Sequence, residues 1–163
     1  MHSVIAIMGG RNSGKSTIIK SLTGCQFSRT RGYVRDNAKG RSIYVIANSP
    51  QEKEMSLPEL RSILNAVRRQ NDCNGVVCAL QPSKPRRRLR FEKVLSEAIA
   101  AGFNVFPYVL DPPRDGVRTD LRAVKARLPQ GTRRLRILDA RSFAHLNAVA
   151  INGHTRIAGE QGG

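Results

Sequence analysis

The residues from Val4 to Gly24, VIAIMGGRNSGKSTIIKSLTG, constrain the fold more than any other stretch of this chain. Val4 to Met8 form a continuous apolar run, which is typical of a strand buried on both faces of a parallel sheet. A glycine-rich loop follows, and from Lys15 the apolar residues recur at helical spacing until Gly24 provides a stop. A strand that leads into a helix through such a loop predicts an α/β fold.

The loop from Gly9 to Ser16, GGRNSGKS, fits the phosphate-binding pattern G-x-x-x-x-G-K-[ST]. Glycines let the backbone curl so that its N–H groups point at phosphate oxygens, and the start of the helix adds the positive end of its dipole. Lys15 is predicted to act catalytically by bridging the β- and γ-phosphates, and the Ser16 hydroxyl is predicted to ligate Mg²⁺. The alternative is a glycine turn that carries a lysine by chance, and the flanking strand and helix argue against it. The candidate nucleotide-binding residues here are Gly9, Gly10, Arg11, Asn12, Ser13, Gly14, Lys15, Ser16 and Thr17.

The remaining apolar patterns alternate between strand and helix. Residues 32–50 have the pattern of two strands joined by a turn, and three later apolar runs, 76–80, 105–110 and 135–138, are further strand candidates. This order predicts an α/β three-layer sandwich with a mostly parallel sheet and one antiparallel edge strand. Ligands of such sheets bind at the carboxyl ends of the strands. The residues that fall there are Gly9, Ser49, Gln81 and Asp111, and Asp111 is a further candidate for nucleotide binding.

Several local signals predict where individual elements begin, end or break. Ser56 and Glu59 form a capping box ahead of a helical stripe. Pro107 is expected to make its strand irregular, and a helix is expected over residues 117–128. Ser142 is a candidate cap for the last helix. Residues 1–151 are predicted to form one nucleotide-binding domain, and residues 152–163, which are polar and glycine-rich, a flexible tail.

The net charge of the chain is unusual. Twenty-eight Lys and Arg stand against 12 Asp and Glu, which gives a formal charge of +16. Such a surplus favours salt-sensitive attraction to polyanions, so a nucleic acid or a nucleoprotein is the expected partner. An arginine-rich proteome or an acidic protein partner would also account for the charge. The predicted anionic-partner contact is the cluster Arg86, Arg87, Arg88 and Arg90, for which a lid over the phosphates and plain solvated surface are the alternatives.

The cysteines and histidines do not have the spacing of a metal site. Cys25, Cys73 and Cys78 are odd in number and lie in or beside apolar segments, so they are expected to be small, reduced thiols. No apolar run reaches the roughly 18 residues that a membrane-spanning helix needs. The chain goes from Met-His-Ser straight into an apolar strand without a basic leader. We therefore expect a cytoplasmic protein, whose oligomeric state the sequence leaves open.

The stretch GRNSGKSTIIKSLTG resembles the first motif of Era-like and other translation-factor-type GTPases, and the element order, with a hairpin after the first helix, resembles the Ras-like G-domain. The resemblance implies a Ras-like P-loop NTPase topology and GTP or ATP with Mg²⁺ as cofactors. In this family a switch-loop threonine ligates Mg²⁺, and Thr30 is the residue that the resemblance places there.

The later motifs of the family are altered in this chain. Where the family has Asp-x-x-Gly, the chain has Asn48-Ser49-Pro50-Gln51. Gln51 is the candidate catalytic residue that would orient a water, with Glu52 as the alternative. Where the family reads guanine with Asn-Lys-x-Asp, the chain has Asp111 to Asp115, and the expected carboxylate falls on Arg114. The fifth motif corresponds loosely to Asp139-Ala140-Arg141. The choice between guanine and adenine therefore stays open.

Three functions fit these features. The first is a P-loop nucleotide-binding protein with weak or partner-dependent NTPase activity that acts with RNA, DNA or a ribosome. The second is a non-catalytic, GTPase-like module that uses its basic surface for interaction. The third is phosphoryl transfer to a small acceptor, against which the hairpin argues. Retention of Lys15 and Ser16 favours the first, and Asn48 in place of a metal-side carboxylate favours the second.

Overall fold

The computed structural model describes residues 1–24, 31–36, 41–48, 55–83 and 89–158. This part of the chain contains six strands and five helices, in the order of a strand, a helix, a hairpin and then alternating helices and strands. The strands are β1 (Ser3–Met8), β2 (Arg31–Asp36), β3 (Arg41–Ile46), β4 (Cys73–Leu80), β5 (Asn104–Leu110) and β6 (Arg136–Leu138). The helices are α1 (Lys15–Leu22), α2 (Leu57–Arg69), α3 (Phe91–Ala100), α4 (Leu121–Arg127) and α5 (Ala144–Thr155).

All six strands form one sheet in the order β2-β3-β4-β1-β5-β6. Among the described strands only β2 and β3 pair antiparallel, and every other neighbouring pair is parallel. β2 lies at the edge, so the predicted α/β architecture with one antiparallel edge strand is confirmed. Among the described residues, no helix combines the length and the apolar character that crossing a membrane requires.

The sheet is buried on both faces because its central strands are apolar throughout. In β1 alternate side chains enter two separate clusters: Val4, Ala6 and Met8 belong to one, and Ile5 and Ile7 to the other. The first cluster is completed by α2, α3 and α4, and the second by α1 and α5. The fold is therefore a three-layer sandwich with β1 at its centre, as period-two alternation requires for a strand covered on both sides.

The helix that follows the hairpin begins where the sequence predicted. The Ser56 side chain accepts a hydrogen bond from the Glu59 N–H, and the Glu59 carboxylate accepts one from the Ser56 N–H, both at 3.2 Å. Leu60, Leu64 and Val67 form the buried stripe of α2. The capping box is confirmed because it depends only on neighbouring residues.

Two predictions about element ends are wrong. Helix α4 begins at Leu121 with Asp120 as its cap, and Val117 is 84% exposed in the preceding loop. The Asp120 side chain accepts from the Ala123 N–H, so this cap fixes a later start than the apolar spacing indicated. The N-cap of α5 is Phe143 rather than Ser142, and it makes no side-chain cap.

Strand β5 is continuous through Pro107, contrary to the predicted irregularity. The Val105 carbonyl accepts from the Arg133 N–H, so Pro107, two residues on, also faces the side of β6. β6 is short and its pairing with β5 begins only at Tyr108 and Arg136. The N–H that proline lacks is therefore not needed by the ladder.

The packed structure extends beyond the predicted boundary at residue 151. Helix α5 continues to Thr155, and Ile157 is buried against the α1 side of the sheet. The Asn74 side chain donates to the Ile157 carbonyl at 2.7 Å, which fastens the end of the chain to β4. Asn152 to Ala158 therefore belong to the domain and not to a tail; residues 159–163 lie outside the described part.

The strand order separates the hairpin from the strand that leads into the phosphate-binding loop. β4 lies between β3 and β1. The reason is burial: β4 is buried along nearly its whole length and takes a central position, whereas the hairpin carries exposed residues such as Tyr33 and Arg35 and stays at the edge.

Candidate functional site

The loop after β1 curls as the glycine pattern predicts. Asn12 and Gly14 have positive φ angles of 60° and 104°, and Gly14 is the residue that caps α1. Gly9 is packed closely: a Cβ there would lie 2.3 Å from Ser13 Oγ. The Gly9 N–H donates to the Leu80 carbonyl at 3.1 Å, which anchors the loop to the end of β4.

Lys15 folds back over this loop. Its Nζ donates to the carbonyl oxygens of Gly9 at 2.9 Å and Gly10 at 2.6 Å. The residue is only 7% exposed, although it carries a charge. A buried ammonium needs polar partners, and the two carbonyls hold it at the base of the loop.

Two further features of the loop provide polar groups to which a ligand can hydrogen-bond. Ser13 is 1% exposed, and its Oγ has no hydrogen-bond partner in the described structure. The N–H groups of Ser16 and Thr17 lie in the first turn of α1, where no intrahelical acceptor exists. Both residues are exposed at the loop mouth. Such a set of donors at a helix start is suited to an anion.

A cavity of about 950 Å³ opens at the carboxyl ends of the central strands. This volume is large enough for a nucleotide. Its charged side chains are Arg11, Lys15 and Arg114 against the single acid Asp115, so the described lining favours an anion. The lining residues, which include most of the predicted set, are Arg11, Asn12, Ser13, Gly14, Lys15, Ser16, Thr17, Ala47, Gln81, Arg114 and Asp115.

The loop between β5 and α4 is fastened to the phosphate-binding loop. The Arg114 N–H donates to the Ser13 carbonyl at 3.0 Å. Gly116 has a φ of 85°, and a Cβ there would lie 2.6 Å from the Arg11 carbonyl oxygen. We call residues 111–118 the strap, because they cross and hold the loop that the ligand would occupy.

A smaller cavity, of about 240 Å³, adjoins the first on the side of α5. It shares Gly14, Thr17 and Arg114 with the larger cavity. Phe143 is 75% exposed, and its ring stacks on His145 with 5.7 Å between the ring centroids. The other lining residues are Ile18, Ala140, Arg141, Ser142 and Ala144, and the described lining contains no carboxylate.

The other predicted site residues either line neither cavity or lie outside the described residues. Asp111 is not among the described residues that line either cavity; its carboxylate instead pairs with Arg118 at 2.9 Å. Its role as a nucleotide contact stays a prediction, and such a contact would compete with the ion pair to Arg118. Arg90 is exposed at the N-cap of α3. Thr30, Gln51, Arg86, Arg87 and Arg88 lie outside the described residues.

The sequence missed Arg114 and Phe143 as contacts of the site. The sequence pattern marked Arg114 only as the residue that replaces a family carboxylate, and it gave Phe143, next to the candidate cap Ser142, no role in the site. Both come to the site through strand order, since β5 and β6 lie next to each other and bring their following loops to one edge. Gln81 did carry a signal, because it follows a buried strand directly.

The described residues include no group of three or more His, Cys, Asp or Glu side chains that would hold a metal by themselves. Mg²⁺ needs less than this, because it is commonly bound by one or two protein oxygens together with substrate phosphates. Ser16 and Asp115 offer such oxygens in the larger cavity, so the donor set fits. Burial raises the pKa of the Cys78 thiol to about 12, which keeps it protonated and unsuited to metal binding.

Comparison with known proteins identifies the fold alone. No protein-family model and no curated protein matches the chain. Among solved structures it is similar to the one described as the crystal structure of APE1195, with 15% sequence identity and a TM-score of 0.52. The match covers 98% of this chain and 97% of the other.

Proposed function

We propose that this protein binds a nucleoside triphosphate, GTP or ATP, with Mg²⁺, and that it hydrolyses the nucleotide slowly or only with a partner. The observation that carries the proposal is Lys15, buried and held over a curled glycine loop at the base of a 950 Å³ cavity. A lysine is costly to bury in this way, and a phosphate group would compensate its charge. The unpartnered Ser13 Oγ in the same loop supports a ligand there.

The proposed roles follow from the positions of the side chains. Lys15 would leave its two carbonyl acceptors and contact the β- and γ-phosphates, while the N–H groups of Ser16 and Thr17 hold the phosphate nearer the helix. Ser16 and Asp115 would hold Mg²⁺, which when bound supplies charge neutralisation to the phosphates. Because Asn48 is neutral where the family has an acid, hydrolysis is expected to be slow without help from a partner.

The base would occupy the smaller cavity. Its described lining has no carboxylate to accept from a guanine ring, so we propose weak discrimination between guanine and adenine. Phe143 offers an exposed ring for stacking, which every base accepts.

The proposal includes a polyanionic partner, RNA, DNA or a nucleoprotein, in keeping with the net charge of +16. It also includes a cytoplasmic location, where buried free thiols such as Cys73 and Cys78 remain reduced. A non-catalytic interaction module is the second candidate, and the neutral Asn48 favours it.

Calorimetric titration of nucleotide-free protein tests the proposal. Mg·GTP, Mg·ATP, their diphosphates and pyrophosphate would each be titrated into the wild type, Lys15→Ala and Lys20→Ala. Lys20 is the matched control, since it is an exposed lysine of the same helix. We expect micromolar binding of a triphosphate that only Lys15→Ala abolishes. Absence of binding to the wild type, or equal binding by Lys15→Ala, would reject a nucleotide site at this loop.

A further inference from the structure

We infer that Arg114 binds the phosphate group that is attached to the nucleoside and so joins the two parts of the ligand site. The inference rests on the proposed function, because it assumes a nucleotide that spans both cavities. It adds a binding residue that takes the place of the missing base-reading carboxylate.

The position of Arg114 between the cavities is the first argument. Of the described residues, only Gly14, Thr17 and Arg114 line both the larger and the smaller cavity. A nucleotide has a charged polyphosphate, which suits the larger cavity, and an uncharged base, which suits the smaller. The atoms between these two parts, the first phosphate and the sugar, would therefore pass over Gly14 and Thr17 and beneath Arg114.

The second argument is that Arg114 is anchored by its backbone while its side chain pairs with no described residue. Its N–H donates to the Ser13 carbonyl, and its Cβ lies 3.4 Å from where a Cβ of Gly14 would be. Its guanidinium makes no hydrogen bond or ion pair within the described part of the chain, and the residue is exposed. A planar guanidinium in this position can donate two parallel hydrogen bonds to phosphate oxygens.

The neighbouring arginines fit this role less well. Arg11 lines only the larger cavity and Arg141 only the smaller. Arg141 also pairs with Asp139 at 3.5 Å. Arg114 is therefore the described arginine that a ligand occupying both cavities must pass.

This position makes a specific prediction about ligands. A residue that holds the first phosphate contributes equally to diphosphate and triphosphate binding, because both carry that group. It contributes little to binding of pyrophosphate, which occupies the part of the loop near Lys15. An arginine acting on the terminal phosphate would instead favour the triphosphate.

The experiment compares wild type, Arg114→Ala and Arg122→Ala by calorimetry with Mg·GDP, Mg·ADP, Mg·GTP, Mg·ATP and pyrophosphate. Arg122 is an exposed arginine of α4 that lines neither cavity, so it controls for lost net charge. We expect Arg114→Ala to bind all four nucleotides about ten-fold more weakly and pyrophosphate unchanged, since charge-assisted hydrogen bonds contribute on this scale. Arg122→Ala should match the wild type.

The outcomes separate this inference from the proposed function. Suppose that the wild type binds nucleotides. If Arg114→Ala binds them equally well, or if its affinity for pyrophosphate falls as much as its affinity for nucleotides, the role of Arg114 is refuted and the nucleotide site stands. If the wild type binds no nucleotide, both are refuted. Arg114→Lys keeps the charge but not the paired donors, and an intermediate affinity with an unchanged melting temperature would support direct contact over a folding effect.

Discussion

At the scale of single residues, two glycines of similar conformation have different surroundings. Gly116 in the strap has a φ of 85°, and its missing Cβ leaves room for the Arg11 carbonyl. Gly102, after α3, has a φ of 87°, and no atom of the described residues lies within 4 Å of the position of a Cβ. Substitution by alanine would strain the backbone at both positions. Of the two glycines, only Gly116 lies against the phosphate-binding loop.

Gly116→Ala is therefore expected to weaken nucleotide binding, and Gly102→Ala is not. Each should lose about 1–2 kcal/mol of stability, because alanine is strained at these φ angles. In Gly116→Ala the Cβ also displaces the carbonyl of Arg11, which moves the loop that would hold the phosphates. Chemical denaturation and calorimetry on both variants would test this, and equal nucleotide affinities would contradict it.

At the scale of elements, Arg127 connects α4, α3 and the end of β4. Its guanidinium donates to both carboxylate oxygens of Glu92 and to the Pro82 carbonyl at 2.8 Å, and it stacks over the Phe91 ring at 4.6 Å. The side chain is only 19% exposed. This set of contacts fixes α4 against the sheet face that carries α3.

Arg127→Ala is expected to lower the free energy of unfolding by about 2–3 kcal/mol, because it leaves Glu92 partly buried without its partner. Arg122→Ala, on the exposed side of the same helix, should change it by less than about 0.5 kcal/mol. Urea denaturation of both variants would measure the difference. Similar values for the two would mean that the Arg127 contacts contribute little.

Helices α2 and α3 are joined by a carboxylate whose ionisation can be followed. Hydrogen bonds from Arg61 and then Lys93 lower the pKa of Glu97 to about 2. A lowered pKa in the folded state gives stability that is present above the ordinary glutamate pKa of about 4.3 and is lost as the pH falls toward about 2. Solvent screens these pairs, since Arg61 and Lys93 are about half exposed.

Glu97→Gln should therefore be less stable than the wild type at about pH 6, by no more than about 1 kcal/mol. This difference in stability should vanish as the pH falls from about 4.3 to about 2. Denaturant midpoints at several pH values would test the sign. A difference that is constant down to about pH 2 would argue against ionisation as its cause.

The elements show what could be predicted from sequence and what could not. The capping box at Ser56, the loop glycines and the buried strand patterns were correct because each depends on a few neighbouring residues. The position of β4 beside β1 depends on which strand is buried on both faces, and the start of α4 depends on a single cap that competes with apolar spacing. The position of Arg114 beside both cavities depends on strand order, which no local pattern records.

At the scale of the whole molecule, charge is the dominant property. The chain carries +16, and the described basic residues on its surface include Arg90 at the start of α3. A positive side chain at a helix N-terminus opposes the helix dipole, so its placement there is costly unless an anion binds nearby. The neighbouring cluster Arg86, Arg87 and Arg88, which lies outside the described residues, is the predicted contact.

Reversing Arg86, Arg87 and Arg88 to Glu is expected to weaken binding to single-stranded RNA and to reduce the slope of log affinity against log salt by about 2, since each phosphate contact contributes about 0.7. Reversing Arg133, Arg134 and Arg136 makes the same change in net charge and is the control. Filter binding or fluorescence anisotropy across a salt series would measure both. Equal slopes for the two variants would indicate a contact that is not localised at Arg86 to Arg88.

The strap has a consequence for how this protein can change over evolutionary time. Its attachments run between main-chain atoms: Arg114 N–H to Ser13, Ala140 N–H to the carbonyl of Pro112, and Asp111 N–H to the carbonyl of Leu138. A segment held in this way keeps its place while most of its side chains are exchanged. Drift at these positions can exchange one side chain for another of different charge without disturbing the fold, so the sequence can diverge while the architecture persists.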